Sequence, residues 1–305
     1  MTVDPSAPTL GKKRRSSREQ LILLALGAAA LVSVLVTVGI VVTLLEEGLG
    51  FFGEVSVWDF LTGTRWVPNE GKWGVLPLLA GSLMIAAVAA CVAVPLGVGA
   101  AIYLSEYAPE RVRRAIKPVL EILACMPTIV LGFFAIESLT PLLQNIGVLD
   151  KNQAFSALSA GIVVGILILP LISSLSEEAL RAVPNAMREG AYGVGATRRV
   201  VSTRIVLPAA LSGVVASIVL GLSRAVGETM AVTLAAGTIP NLSGNPTDQM
   251  QTITSYVVQV VRGEAVRGTP LYQSIFAVGI LLFVLTFIIN LVAVRLVRRY
   301  RTVYQ

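Results

Sequence analysis

Long apolar runs separated by short polar segments dominate this chain. Six of the runs are long enough to cross a bilayer, which takes about 20 residues of α-helix. The runs lie at residues 21–45, 75–104, 118–139, 156–176, 209–237 and 273–294. The pattern therefore predicts an all-α membrane protein with six transmembrane helices.

The polar segments divide the chain further. We expect a disordered tail at 1–20, a loop at 46–74, a helical core at 75–297 that contains a charged loop at 177–208, and a second tail at 298–305. The first apolar run is longer than the 7–15 residues of a signal-peptide core, so it indicates an uncleaved transmembrane helix. The tryptophans of the 46–74 loop indicate anchoring at the membrane interface.

The composition agrees with a membrane protein and narrows its chemistry. Hydrophobic residues make up 55% of the chain, charged residues 14%, and the mean hydropathy is +0.78, whereas soluble domains carry more charge. The chain has no histidine, which excludes Ser-His-Asp and Cys-His catalysis and histidine metal ligation. It also lacks a G-x-x-x-x-G-K-[ST] phosphate loop, so any ATP must be hydrolysed by a partner.

Lysine and arginine are distributed unevenly, which predicts the orientation. Eighteen of the 24 Lys and Arg residues lie in the two tails and in the segments after the second and fourth predicted helices. Basic residues accumulate in the cytoplasmic loops of membrane proteins. We therefore expect both termini in the cytoplasm, which an even number of helices also requires.

The charged loop contains a spaced motif between residues 189 and 208. It reads Glu-Gly-Ala at 189–191, then Gly195, then Ile-Val-Leu-Pro at 205–208. Pro184 can open a short helix, Gly193 and Gly195 can close it, and Thr197 is a candidate N-cap for a second helix that ends before Pro208. The loop is therefore expected to form a helix–turn–helix whose tip consists of small residues. The cleft of another protein could close around this tip.

The fifth predicted helix carries an arginine within an apolar run. Arg224 lies near its middle and Glu228 follows one turn later, so a continuous helix would place both on one face. A charged group at this depth is costly and commonly faces a bundle interior or an aqueous path. Two interpretations remain open: Arg224 and Glu228 line the substrate path and contact an anion, or they form an intrahelical ion pair that neutralises their burial.

The third predicted helix contains a proline within its apolar run. Pro127, followed by Thr128, is expected to kink the helix, and a kink can serve a gate or only packing. Glu121 is expected to pair with Arg113 or Arg114. Cys91 and Cys125 are expected to be small core residues.

These motifs resemble those of a known family. The 189–208 pattern resembles the EAA loop of ABC-importer permeases, and S-R-A-V-G-E-T-M-A-V-T at Ser223–Thr233 resembles the fifth helix of PstC, a permease subunit of phosphate-specific transport (Pst) importers. Further similar segments lie at Trp73–Leu83, Leu104–Pro109 and Glu121–Gly132, and the resemblance covers about Trp73 to Tyr300. It implies the type I (MetI-like) ABC importer fold, with a five-helix core and one peripheral helix.

The resemblance also implies a function. The chain would be a non-catalytic permease for inorganic phosphate in the bacterial inner membrane, paired with a second permease, two ATPase subunits and an extracytoplasmic phosphate-binding protein. ATP and Mg²⁺ would bind the ATPase, and this chain would hold no cofactor or metal and bind no nucleic acid. The residues of the motif would couple to the ATPase: Glu189, Gly190, Ala191, Gly195, Ile205, Leu207 and Pro208.

Three alternatives remain. An ABC permease for sulfate, molybdate or phosphonate would share the docking loop. An ATP-independent anion channel would use Arg224 and Glu228 but leave that loop without a role. An enzyme acting on lipid phosphates would need acid–base or metal-binding residues, which are scarce in the apolar runs.

Overall fold

A computed structural model describes residues 17–263 and 265–300. The parts of the two predicted tails at 1–16 and 301–305 lie outside these residues. The longest helices are α1 (Ser17–Glu54), α3 (Leu76–Ile102), α4 (Glu110–Ala124), α7 (Ala157–Arg181), α11 (Leu211–Val226) and α14 (Pro270–Tyr300).

Shorter elements connect them. They are α2 (Val57–Thr62), α5 (Thr128–Phe134), α6 (Thr140–Asn145), α8 (Asn185–Gly193), α9 (Arg198–Val200), α10 (Leu207–Ala209), α12 (Met230–Ala235) and α13 (Ile253–Arg262). Strands β1 (Trp66–Val67) and β2 (Lys72–Trp73) form an antiparallel hairpin that pairs Trp66 with Trp73. Single π-helical stretches occupy Tyr103–Tyr107, Ala135–Leu139 and Val201–Val206.

The number of membrane spans depends on how bent helices are counted. Four helices of the described residues are long and apolar enough to cross a bilayer: α1, α3, α7 and α14. Two bent pairs bring the number to six if each counts as one span: Glu110–Ala124 with Thr128–Asn145, and Arg198–Ala209 with Leu211–Val226. Four of the six predicted spans are therefore unbroken helices, and the other two correspond to spans only if each bent pair is counted as one.

The third predicted helix, at 118–139, is broken rather than kinked. Helices α4 and α5 meet at 91°, and the break falls at Pro127, whose backbone is extended at φ −59° and ψ 128°. Proline lacks the N–H that would continue the helical ladder. Helix α4 also begins earlier than predicted, at Glu110, because its first turns are polar and lie outside the apolar run.

The fifth predicted helix, at 209–237, is interrupted twice. A 70° bend separates α10 from α11 at Ala210, and residues Gly227–Thr229 separate α11 from α12. Arg224 therefore lies in the last turn of α11 and Glu228 lies beyond its end. The expectation that both share one face of a continuous helix is wrong.

The first helix extends beyond its predicted end. It continues from residue 45 to Glu54, so part of the predicted 46–74 loop is helical. Its last turns join a buried aromatic cluster that includes Phe51, Phe60 and Trp66. Trp66 is only 2% exposed, so it is a core residue and not the interfacial anchor expected from the sequence.

Close packing of α3 against α7 forms the centre of the bundle. Gly161 and Gly165 of α7 lie against Val88 and Val92 of α3, and Gly97 of α3 lies against Ile172. Small residues let helix backbones approach closely in membranes, where van der Waals contact drives helix association. Cys91 and Cys125 are exposed on the isolated chain and are not the core residues expected from the sequence.

The close α3–α7 contact predicts that a glycine-to-alanine substitution inside the contact destabilises the bundle, whereas one outside it does not. A Cβ at Gly161 would lie 2.5 Å from Cβ and Cγ1 of Val88, which cannot rotate away because Cβ is fixed to the backbone. We expect Gly161→Ala to destabilise the bundle by about 1–3 kcal/mol, the cost of overpacking. Thermal unfolding of the purified chain in detergent measures this effect.

Gly99→Ala on α3 is the matched control, because a Cβ there meets no atom within 4 Å. It should leave the unfolding temperature unchanged or raise it through helix propensity. Equal unfolding temperatures for the two variants would contradict the close packing.

Candidate functional site

Residues 177–208 form a compact projection at the end of the bundle that also carries α4; we call this end the loop end. Helix α8 begins after Pro184, and Gly195 turns the chain with φ +81°, which glycine adopts without strain. The Thr197 hydroxyl accepts a hydrogen bond from Val200 N at 3.4 Å and caps α9. The predicted helix–turn–helix is confirmed, except that its second arm continues past Pro208 to Ala209.

The residues of the motif divide between two faces of the projection. Glu189 and Gly190 are exposed on α8, and a Cβ at Gly190 would meet nothing within 4 Å. Ala191 faces inward, into a buried cluster on which Ile205 and Leu207 also pack. Pro208 is exposed. The outward residues are therefore available to a partner, whereas the inward ones fasten the projection to the bundle.

The tip of the projection is apolar. Val194 is 85% exposed, and Tyr192, two residues earlier in the last turn of α8, is 44% exposed. Sequence reasoning noted only the small residues of this tip, although Val194 lies inside the motif. Val194 and Tyr192 together give the otherwise polar loop a small exposed apolar surface.

An arginine anchors α8 to the bundle. Arg188 Nη2 lies 2.9 Å from Oε1 of Glu106, in the π-helical stretch that follows α3. The guanidinium also donates to the carbonyl oxygens of Leu180 and Val183, at 2.8 and 2.6 Å, at the end of α7. Side-chain exposure is 15% for Arg188 and 5% for Glu106, so this charge pair is largely desolvated. Movement of α8 is thereby linked to α3 and α7.

A second buried carboxylate binds α4 to α7. Glu177 has a side-chain exposure of 1% and lies 2.8 Å from Arg113 Nε, 3.3 Å from Lys117 Nζ and 3.7 Å from Arg181 Nη1. The Arg113 contact is a charge contact, because neither Glu177 oxygen receives an aligned hydrogen bond in the described part of the chain. Three cations thus share one buried carboxylate at the loop end.

These anchors differ from the partners expected from the sequence. Arg113 pairs with Glu177, and Arg114 lies 3.7 Å from Glu110, whereas Glu121 is exposed. The available signal was the position of Glu106 and Glu177, each at the end of an apolar run on the arginine-rich side. Their burial follows from helix packing, which the linear pattern does not contain.

Arg224 is exposed at the end of α11, without a charge partner among the side chains that the structure describes. Within residues 17–263 and 265–300, its side chain forms neither an ion pair nor a hydrogen bond. Glu228 instead accepts from Ala231 N through Oε1 at 3.4 Å, and its carbonyl oxygen accepts from the Thr254 hydroxyl at 2.7 Å. The interpretation of an intrahelical Arg224–Glu228 pair is therefore wrong, and the Arg224 guanidinium keeps all its donors.

The helix break at Pro127 and the one at Gly227–Thr229 lie on elements that pack together. Helices α5, which begins at Thr128 after Pro127, and α12, which begins after Glu228, touch through Gly132. A Cβ at Gly132 would come within 3.1 Å of Ala231 Cα. The structure therefore brings both candidate gate regions into one packed unit.

A second cleft lies at the opposite end of the bundle, between the β-hairpin, α13 and residues 238–242. Its volume is about 790 Å³, and its described polar lining includes Arg65, Asn69, Asn241, Gln251 and Gln259 without a carboxylate. Burial raises the pKa of the Tyr256 phenol, also in this lining, to about 12, so the hydroxyl stays neutral at physiological pH. Among the described residues, no group of three or more acidic or cysteine side chains is placed to hold a metal ion.

The Arg188 anchor predicts a local effect of substitution. Arg188→Gln would leave the Glu106 carboxylate desolvated and unpaired, at a cost of about 3 kcal/mol. We expect faster amide hydrogen exchange across residues 181–200, measured on the purified chain by mass spectrometry.

Arg204→Gln removes the same charge from an exposed position of the same projection and should leave the exchange unchanged. Glu106→Gln in the Arg188→Gln background should restore part of the protection, because it removes the unpaired charge. Identical exchange in Arg188→Gln and wild type would show that the pair does not anchor α8.

Comparison with known proteins agrees with this architecture. A phosphate transport system permease protein, PstC, of Mesorhizobium japonicum is 34% identical over 286 residues, covering 87% of this chain and 86% of that protein. A probable ABC transporter permease protein, YqgH, of Bacillus subtilis is 33% identical over 265 residues, covering 86% and 85%.

Solved structures share the fold at lower identity. A bacterial alginate ABC transporter aligns with a TM-score of 0.67 over 93% of this chain and 96% of that chain, at 16% identity. The MetNI methionine ABC transporter aligns with a TM-score of 0.58 over 77% and 99%, at 19% identity. The family described as binding-protein-dependent transport system inner membrane component matches residues 93–302. This chain therefore belongs to the family of binding-protein-dependent transport system inner membrane components.

Proposed function

We propose that this chain is the permease subunit of an ATP-driven ABC importer that moves inorganic phosphate across the inner membrane. Phosphate is inferred as the substrate because relatives at about 34% identity are named phosphate transport system permeases. The unpaired guanidinium of Arg224 on a transmembrane element supports it, because guanidinium donors match the oxygens of a phosphate.

The projection at residues 177–208 couples this chain to an ATPase subunit. Its outward face presents Glu189, Gly190 and the apolar tip at Val194, while Arg188 connects the same helix to α3 and α7. Closure of the ATPase would move α8, and the Arg188 anchor would pass that movement to the transmembrane helices. ATP and Mg²⁺ bind the ATPase, and this chain performs no hydrolysis.

The importer has further parts. A second permease supplies the other half of the path, and the exposed face around Arg224 is suited to face it across that path. The loop end lies in the cytoplasm together with both termini, in accordance with the distribution of lysine and arginine. The opposite end, with the hairpin and its cleft, then faces an extracytoplasmic phosphate-binding protein.

Arg224 and Glu228 divide the recognition of phosphate between them. Arg224 binds phosphate oxygens, and the Glu228 carboxylate accepts the proton of hydrogen phosphate, which sulfate lacks at neutral pH. The α5–α12 unit, with Pro127, Thr128 and Glu228 at its breaks, forms the gate through which the ion passes. Discontinuous helices line substrate sites in other membrane transporters.

Uptake of radiolabelled phosphate tests this function. In cells without their own high-affinity system, the wild-type chain with its full partner set should support uptake that excess sulfate or molybdate does not suppress. Arg224→Gln should lower uptake about tenfold or more, because a hydrogen bond to a charged group is worth about 1.5–3 kcal/mol.

Arg111→Gln is the control, since it removes the same charge from an exposed position on α4. Unchanged uptake in Arg224→Gln would remove Arg224 from the path while keeping the transporter. If a correctly assembled complex takes up no phosphate, the assignment of phosphate as the substrate is wrong. Sulfate, molybdate or phosphonate would then be favoured, and each can be supplied in turn.

The apolar tip gives a separate prediction about coupling. Val194→Asp should reduce co-purification of the ATPase subunit at least tenfold, because burying a valine contributes about 1.5 kcal/mol or more and a buried unpaired carboxylate adds a penalty. Val266→Asp makes the same change at an exposed valine of the opposite end and should retain the ATPase. Equal ATPase recovery with the two variants would show that the tip does not dock.

A further inference from the structure

The loop end contains a polar cleft lined by arginine side chains from four elements. Its volume is about 390 Å³, and we call it the arginine cleft. The residues that line it are Ser105, Glu106, Arg113, Arg181, Asn185, Arg188, Tyr192 and Arg198. Neither Arg224 nor Glu228 lines this cleft, and of the residues of the apolar tip only Tyr192 does.

The positive charge of the cleft exceeds the negative charge around it. Four guanidinium groups line the cleft against one carboxylate, Glu106, which Arg188 already engages through Nε and Nη2. Glu177 adjoins the cleft but is shared by Arg113, Arg181 and Lys117. Counting Glu110, which is largely exposed and lies 3.8 Å from Arg113 Nη1, five cations surround three carboxylates, and the excess is concentrated in a partly enclosed space.

Arg181 and Arg198 retain free donors. Arg181 reaches Glu177 only at 3.7 Å through Nη1. Arg198 has no ion pair among the described residues, and its guanidinium lies 5.8 Å from the centroid of the Tyr107 ring, a contact that orients the side chain. The cleft thus offers several guanidinium donors to a ligand with several acceptors.

We propose that the arginine cleft binds one phosphate group. Guanidinium groups bind phosphate oxygens in paired hydrogen bonds, and arginine clusters are a common phosphate-recognition device. The group can come from free inorganic phosphate or from the headgroup of an anionic lipid, which share this chemistry. A bound phosphate group would bridge Arg181, before α8, and Arg198, after it, and so restrain the projection that couples to the ATPase.

The assignment of the cleft to the cytoplasmic side rests on the proposed function. On that side, free phosphate would be the product of transport, and its binding would restrain the projection when the product accumulates. The binding site itself follows from the charges of the cleft and does not depend on which oxyanion the importer carries.

Equilibrium dialysis of the purified, assembled importer against labelled inorganic phosphate tests the proposal. The complex is held in phosphatidylcholine nanodiscs without ATP or binding protein. Every version of this permease chain that is compared carries Arg224→Gln, so that phosphate bound at Arg224 in the transport path is not counted. We expect the complex to bind one phosphate per chain, and Arg181→Gln/Arg198→Gln to weaken that binding at least tenfold.

Arg111→Gln/Arg114→Gln is the matched control. It removes the same two charges from exposed positions on α4 that do not line the cleft, and it should leave phosphate binding unchanged. A second arm uses nanodiscs that contain phosphatidylglycerol. If the headgroup is the source, the complex with intact cleft arginines retains more phosphatidylglycerol than the cleft variant and binds less free phosphate.

Two results would overturn the proposal. One is equal phosphate binding and equal lipid retention with and without the cleft arginines. The other is loss of the ATPase subunits from the cleft variant with unchanged anion binding, which would assign these arginines to subunit docking. Failure of phosphate uptake in cells together with cleft-dependent phosphate binding would reject the proposed substrate but keep the site.

Discussion

The close approach of α3 and α7 is the contact on which the rest of the bundle depends. Gly97, Gly161 and Gly165 remove side-chain bulk at successive levels of this contact, so that the two backbones pack with valine and isoleucine side chains between them. The main buried cluster surrounds these helices, and α5, α11 and α12 add to it. Both charge anchors of the loop end, Glu106 with Arg188 and Glu177 with Arg113, also lie at the ends of these two helices.

The broken helices pack against this central pair, which contributes to covering their breaks. A break inside a bilayer exposes backbone groups that lipid cannot satisfy, so it must be covered by protein or by an aqueous path. Protein supplies that cover at the break between α11 and α12, where the Thr254 hydroxyl donates to the carbonyl oxygen of Glu228. At α5 and α12 the two broken elements also cover each other through Gly132.

The sequence predicted the features that depend on local pattern. Apolar runs placed the unbroken helices, and Pro184, Gly195 and Thr197 predicted the projection, because proline, glycine and N-cap preferences act within a few residues. Features that depend on tertiary packing were missed. Gly227 and Thr229 interrupt an apolar run without changing its hydropathy, so 209–237 looked continuous. The burial of Glu106 and Glu177 could not be predicted either, since it requires four elements to meet.

The loop end combines two kinds of charge, and their difference in burial separates two tasks. Glu106 with Arg188 is almost fully desolvated, so separating the pair is costly and α8 moves together with α3 and α7. Arg181 and Arg198 are exposed and weakly paired, so they can bind and release a ligand without unfolding the projection. In the proposed importer, the buried pair would transmit a movement of the ATPase, while the neighbouring exposed arginines would adjust how freely that movement occurs. Both proposed tasks would act through the same helix, because Arg188 lies on α8 while Arg181 and Arg198 flank it.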